Sequence, residues 1–310
     1  MIKFAFVFPG QGSQAIGMLN AFADNAAVRD TVAEASAALQ FDLGALIAEG
    51  PKEALDLTTN TQPVMLTAGV AFYRAWIAAG GAVPAMVAGH SLGEYAGLVA
   101  AGTLSFADAV PLVRFRARAM QEAVPVGQGG MAAILGMSDD DVRAVCRDAA
   151  QGEVVEAVNY NAPLQVVIAG HKGAVDRACE LAKTRGAKRA LLLAVSAPFH
   201  SSLLQPASAR LRDALARLTF KPPQIALINN VDVAVVNDVD GIRDALVRQA
   251  ASPVRWVETV QAMAAGGVTH LIECGPGKVL TGLTKRIDPS LVGEALVDPA
   301  SLGKIMELLK

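Results

Sequence analysis

Charge of one sign is what this sequence has least of. Its 27 lysines and arginines are almost balanced by 29 acidic residues, leaving a net charge of −2. A nucleic-acid binder needs a basic excess to gain from counterion release, so no nucleic-acid partner is expected. Cysteine is scarce too: Cys146, Cys179 and Cys274 are an odd number without close spacing. They provide neither a disulfide framework nor a metal-ligand set, and they suit a reducing cytosol. The first residues carry one lysine and a short apolar run that soon meets Pro9-Gly10. With no small-residue cleavage site, a signal peptide is not expected. Mean hydropathy is high at +0.38, yet no apolar run of membrane length escapes polar interruption, so no membrane partner is expected either. What the chain does have is apolar residues, 53% against 18% charged over 310 positions. That composition describes a cytoplasmic, globular protein, large enough for one big domain or a domain with an insertion.

The stretch from Ala85 to Gly97 organises the rest. It reads as a short buried strand, a corner and a helix, and the corner is G-x-S-x-G, with Gly89 and Gly93 either side of Ser91. A serine at such a turn is pushed out at the top of a sheet, and bulky neighbours would collide with the strand and helix it joins. Ser91 is therefore the candidate nucleophile. The Leu92 N–H, at the start of the helix, is a candidate oxyanion donor. Lys3 to Phe8 is a second compact strand, ended by Pro9-Gly10-Gln11-Gly12-Ser13-Gln14. Gly10, Gly12 and Ala15 satisfy a dinucleotide-loop pattern, but that pattern also needs a second strand ending in an acid. Residues 21 to 39 read as a helix instead, so the better use of the loop is a second oxyanion donor, the Gln11 N–H. Residues 60 to 79 read as an apolar helix capped by Asn60 or Thr61.

A further helix follows Ser105, from Ala107 to Met120. On a period of 3.6, Arg114 and Arg118 share a solvated face with Glu122 four residues beyond Arg118, whereas Arg116 falls on the apolar stripe with Val113, Ala117 and Met120. A desolvated guanidinium cannot shed its charge and needs an anionic partner. Two readings stand: a structural salt bridge, or a grip on a substrate carboxylate through two parallel hydrogen bonds.

From residue 127 to 195 the pattern changes to strand 131–135, helix 138–149, strands 154–158 and 165–169, helix 173–184 and strand 189–195. This β-α-β-β-α-β order is that of a ferredoxin-like unit, inserted because α/β material resumes after it. Gly127-Gln128-Gly129-Gly130 is the expected hinge. The expected fold class is α/β: an α/β-hydrolase-like large domain with a parallel sheet over 1–126 and 196–310, plus a ferredoxin-like small domain over 127–195. Of four histidines, His200 lies in a polar loop where the chain returns to the large domain, which favours it as general base for Ser91. His90 adjoins the serine but points away, His171 lies in a turn, and His270 sits in an apolar strand. Strand 225–229, helix 242–251 and strand 269–273 follow, and the loop 275–278, loosely like a phosphate loop, reads as a turn.

FPGQGSQ at 8–14, GHSLGEYAGL at 89–98, RFRARAM at 114–120, NYNAP at 159–163, APFH at 197–200 and ECGPGKVL at 273–280 together resemble the malonyl-CoA:acyl carrier protein transacylases of bacterial dissociated fatty-acid synthesis, over essentially the whole chain. The resemblance implies Ser91 as acyl-accepting nucleophile, His200 as base, and Gln249 as the residue that orients the histidine. It also implies Gln11 and Leu92 as oxyanion donors, Arg116 as the malonyl-carboxylate clamp, Asn161 as a substrate-binding residue, and Phe199 as a bulk that crowds an α-methyl group. The expected partners are malonyl-CoA and acyl carrier protein, with no cofactor. Docking charges for an acidic carrier would be Lys183, Arg185, Lys188 and Arg189 on the insert and Lys278, Lys285 and Arg286 on the large domain, unless these are a plain solvated face. An esterase or thioesterase, or a carrier-binding module that never acylates, would share parts of this pattern.

Overall fold

The computed structural model describes residues 2–310. β1 (Phe4–Phe8) is buried at every position, which marks it as a central strand covered on both faces. Phe4, Phe6 and Phe8 turn to one side, where their rings meet Tyr73 and Trp76. Ala5 and Val7 turn to the other and join a cluster with Val260, Met263 and Leu283. After β1 come α1 (Ala26–Leu39), α2 (Leu43–Glu49), the single turn α3 (Lys52–Leu55) and α4 (Thr58–Ala78). β2 (Met86–Gly89) leads into α5 (Gly93–Ala100), followed by α6 (Phe106–Glu122).

The starts of α1 and α4 differ from expectation. α1 begins only at Ala26, because the Asn25 side chain accepts from the Val28 N–H and caps the helix there. α4 begins before Asn60, and neither proposed residue caps it. The Asn60 amide donates to the Ala54 carbonyl, and the Thr61 hydroxyl donates to the Leu55 carbonyl at 2.6 Å, tying α4 to α3. Ser105 and Ser138, by contrast, cap α6 and the next helix as their sequence contexts imply.

The middle of the chain forms β3 (Gly129–Leu135), α7 (Asp139–Ala150), β4 (Val155–Ala162), β5 (Gln165–His171), α8 (Lys172–Thr184) and β6 (Arg189–Leu192). Its four strands make an antiparallel sheet in the order β4-β5-β3-β6. Both helices contribute to one core with it, built on Ile134, Val142, Val145, Val166, Ile168 and Val175. The expected hinge is shorter than four residues, because Gly129 and Gly130 belong to β3. Gly129 is needed for space: a Cβ there would lie 2.4 Å from the Pro198 ring.

The chain closes with α9 (Gln205–Ala216), β7 (Ala226–Ile228), α10 (Val239–Gln249), α11 (Trp256–Ala265), β8 (His270–Cys274), α12 (Val279–Ile287), β9 (Val292–Leu296) and α13 (Pro299–Leu308). Among the described residues the second sheet has five strands, β7-β2-β1-β8-β9, all parallel. Phe8 pairs with Gly89, so the loop after β1 and the corner after β2 leave the carboxyl edge side by side. That edge is where open α/β sheets hold ligands. The loop at 275–278 is a turn. The anion at the start of α12 is the chain's own Glu273, which accepts from the Thr281 N–H and hydroxyl, both at 2.8 Å. No helix among the described residues is long and apolar enough to cross a membrane.

Candidate active site

The corner after β2 is built by contact, not only by flexibility. A Cβ on Gly89 would lie 1.9 Å from the Gly93 carbonyl carbon, and one on Gly93 would lie 2.0 Å from the Phe8 carbonyl oxygen. Helix α5 therefore starts hard against both strands. Ser91, between the glycines, has φ +52°, a left-handed conformation costing a non-glycine residue about 1–2 kcal/mol. Its N–H donates to Asn230 Oδ1 at 2.7 Å. Its hydroxyl lies 2.7 Å from His200 Nε2. His200 Nδ1 lies 2.9 Å from the backbone carbonyl of Gln249. A carbonyl only accepts, so Nδ1 carries the proton and Nε2 is left to accept from Ser91.

Gln249 thus orients the histidine, and does so through its main chain rather than its side chain. The carboxamide points the other way. Its Nε2 donates to the Ser91 carbonyl and to Glu94 Oε2, and its Oε1 accepts from Arg116 Nη2, each at 2.9 Å. Arg116 is buried on the apolar side of α6 and also donates from Nη1 to Gln62 Oε1 at 2.9 Å and from Nη2 to the Ser91 hydroxyl at 3.2 Å. Its guanidinium carbon lies 5.4 Å from the centre of the Tyr95 ring. No carboxylate among the described residues forms a salt bridge with it, so the structural ion pair is not the reason for this arginine. Its Nε has no acceptor there either, which leaves the guanidinium with donor capacity to spare. On the opposite face Arg118 is exposed, and Glu122 pairs with Arg210 instead.

These groups surround a cleft of about 130 Å³ lined by Gln11, Leu92, Phe199, Met120, Met131 and Asn159 besides the serine, histidine and arginine. The backbone N–H groups of Gln11 and Leu92 have no hydrogen-bond acceptor among the described residues, and the Gln11 side chain is held aside by the Thr58 hydroxyl. Phe199 is half-buried at the cleft wall. Asn161 is placed differently from expectation: its Oδ1 meets His90 Nε2 at 2.8 Å, outside the cleft lining, which Asn159 reaches instead. His90 Nε2 is engaged by Asn161 rather than by the Ser91 hydroxyl, which meets His200, and the His90 ring also lines the cleft. Gln62, Glu94, Asn159 and Asn230 escape the sequence reading. Glu94 alone had a signal, an acid on the first turn of a buried helix.

Electrostatics sets two protonation states. Burial first, then the Arg116 charge and His90, hold His200 down to about 3, against the pull of its bond to Gln249. It is neutral at neutral pH and free to accept a proton. Burial pushes the Glu94 carboxyl up to about 7, opposed by the Gln249 and Asn230 donors and by Arg116. Their effects on stability oppose each other. Between the ordinary Glu94 value of 4.5 and the ordinary His200 value of 6.5, the unfolded chain protonates the histidine while the native state does not. That site destabilises the fold as pH drops. In the same window native Glu94 keeps a proton the unfolded chain has lost, which destabilises the fold as pH rises. One proton is worth about 1.4 kcal/mol per pH unit, so the two slopes nearly cancel. Glu94→Gln removes the second, and its urea midpoint is expected to fall more steeply than the wild type's from pH 6.5 to 4.5. Equal slopes for the two proteins would place Glu94 at its ordinary value.

Fold and site together define a class: an α/β protein with a serine–histidine pair on a strand-to-helix corner, beside a buried arginine. The chain belongs to the acyl transferase domain family, whose match spans residues 5–289. It is 56% identical to the malonyl CoA-acyl carrier protein transacylase of Escherichia coli strain K12, covering 99% of this chain and 100% of that protein. Among solved structures, the acyl-carrier-protein S-malonyltransferase of Burkholderia pseudomallei 1710b is 68% identical and superposes with a TM-score of 0.98, covering 99% of this chain and 100% of that one. A malonyl-transacylase solved in complex with a type II polyketide acyl-carrier protein is 50% identical, with a TM-score of 0.98 and 99% of each chain covered.

Proposed function

We propose that this protein moves a malonyl group from coenzyme A to the pantetheine thiol of acyl carrier protein, through a malonyl-serine, to supply fatty-acid synthesis in the cytoplasm. The observation that carries it is the buried Arg116, bonded only to neutral groups, with Nη2 3.2 Å from the Ser91 hydroxyl. A guanidinium so placed selects acyl groups that end in an anion and holds them in register with the nucleophile. The relatives named above support the same substrate and carrier.

Ser91 gives its proton to His200 Nε2 and its oxygen attacks the thioester carbonyl. The Gln11 and Leu92 N–H groups take the oxyanion, each worth about 3 kcal/mol of barrier. The carbon–sulfur bond breaks and coenzyme A leaves with the proton from His200. The carrier thiol then gives its proton to His200, and its sulfur attacks the malonyl-serine ester. Ser91 departs with the proton, closing a ping-pong cycle that uses no cofactor. Phe199, at the cleft wall, crowds an α-methyl and so favours malonyl over methylmalonyl.

The domain reading belongs with this proposal: an α/β-hydrolase-like domain over 1–126 and 196–310, and a ferredoxin-like one over 127–195, which the strand order β4-β5-β3-β6 supports. Of the docking charges, Lys183 and Arg185 are already paired with Glu180 and Asp148 and Arg286 holds Gln165. Lys188, Arg189, Lys278 and Lys285 remain exposed for an acidic carrier. A hydrolase reading is weakened because a backbone carbonyl, not an acid, meets His200 Nδ1. Intact-mass measurement after adding malonyl-CoA tests the function: a malonyl adduct is expected on the wild type and not on Ser91→Ala. A wild type without adduct, or an adduct that survives Ser91→Ala, removes the proposal.

A further inference from the structure

Ser91 must hold a left-handed backbone conformation with φ +52° to present its hydroxyl, and the corner's own hydrogen bonds hold that residue at one end only, through the Glu94 N–H to the Ser91 carbonyl at 3.2 Å. Gly93 N–H bonds back to the His90 carbonyl at 2.9 Å and His90 N–H to the Phe8 carbonyl at 2.9 Å, which leaves the Ser91 N–H and the Gly89 carbonyl for another partner. Both are taken by one side chain from a distant part of the chain. Asn230, just past β7, accepts from the Ser91 N–H at 2.7 Å through Oδ1 and donates to the Gly89 carbonyl at 2.7 Å through Nδ2. Its own N–H donates to Glu94 Oε2 at 3.0 Å, and its carbonyl accepts from the Arg255 N–H. Glu94 Oε2 also takes the Gln249 carboxamide, which braces Arg116. Asn230 is fully buried, and both ends of its carboxamide are used.

We propose that Asn230 is a positioning residue for the nucleophile: its carboxamide clasps the backbone on both sides of Ser91, and through Glu94 the clasp is joined to the arginine that faces the acyl group. This rests on the assignment of Ser91 as nucleophile. The requirement is for a donor and an acceptor side by side, which only a carboxamide of this length supplies. Leucine is isosteric but satisfies neither backbone group, and aspartate keeps the acceptor while setting a second oxygen against the Gly89 carbonyl. Protonated aspartic acid restores the donor.

The test uses Asn230→Ala and Asn230→Asp in the full-length enzyme, with two readouts: steady-state malonyl transfer, and inactivation by phenylmethylsulfonyl fluoride, which reports Ser91 reactivity without malonyl recognition. For Asn230→Ala, kcat is expected to fall roughly 10²-fold, the cost of a misplaced reacting atom. KM for malonyl-CoA should stay within about twofold, and the inactivation rate should drop in parallel. For Asn230→Asp, both rates relative to the wild type at the same pH should rise as pH falls from 8 toward 5.5. The titratable and charged groups around the clasp are Glu94 and His90, His200 and Arg116 across the cleft, and Asp232 and Arg255 beside Asn230. All are common to wild type and variant, and the ratio cancels them to first order. A folded Asn230→Ala enzyme with wild-type kcat and inactivation rate overturns the proposal, as does an Asn230→Asp defect that does not change with pH. A wild type that is labelled at Ser91 but transfers no malonyl would instead defeat the substrate assignment and leave the clasp standing.

Discussion

Arg116→Ala is expected to lower malonyl transfer about 10³-fold while acetyl transfer holds level or rises. Two separate effects give the opposite signs. Arg116 is 1% exposed, and the fixed partners of its guanidinium are the neutral groups of Gln62, Gln249 and Ser91. A malonyl carboxylate brought into this cleft loses its water and finds no other cation among the cleft-lining residues. Removing one partner of such a buried, hydrogen-bonded charge pair costs about 4 kcal/mol, close to 10³ in rate. The second effect concerns the base. Arg116 is one of the charges that hold His200 down to about 3. When a malonyl carboxylate neutralises that charge the imidazole becomes a better acceptor, whereas an acetyl group leaves the depression in place. Alanine relieves it for every substrate. Steady-state rates with malonyl-CoA and acetyl-CoA, compared between wild type and variant, decide the matter. A parallel fall in both would mean that the arginine only supports the cleft.

The parts of this protein that local sterics dictate are legible in the sequence. The corner at 89–93 is one, since two glycines either side of a serine are demanded by contacts of 1.9 and 2.0 Å with neighbouring backbone. The placement of Arg116 is another, because α6 runs unbroken from Phe106 to Glu122 even with Pro111 inside it, and buries Arg116 with Val113, Ala117 and Met120. Which atom of a residue faces a partner is not legible. Gln249 orients His200 by its carbonyl, a group every residue has, while the side chain that marks the position braces the arginine. Asn159 and Asn161 would share a face on a regular strand, but register shifts between Ala157 and Asn159 and between Tyr160 and Ala162 re-aim them separately. Asn230 lies 139 positions from the serine it holds, and no local period connects them. Elements α2, α3, α9, α11, α12, α13 and β9 are not among those expected from the sequence. For α13 the signal was present: Asp298-Pro299-Ala300-Ser301 forms a capping box with proline in the first turn.

His200→Ala is expected to slow both half-reactions by about 10³-fold, within the range a positioned general base contributes. Both should suffer, because the same Nε2 takes the Ser91 proton in one and the carrier thiol proton in the other. The wild-type kcat/KM for malonyl-CoA should show no fall from this histidine between pH 8 and 5, since in the free enzyme burial and Arg116 keep it neutral down to about 3. Gln249→Asp separates main chain from side chain. The carbonyl that holds Nδ1 at 2.9 Å is untouched, while the shortened side chain falls away from Arg116 and Glu94. An aspartate there does not become a third catalytic member, and the partition between transfer and hydrolysis should stay at its wild-type value even as the transfer rate drops. A variant that gained hydrolysis would mean the carboxylate had reached the imidazole. Retention of more than a tenth of the wild-type rate by His200→Ala would mean that another group takes the serine proton.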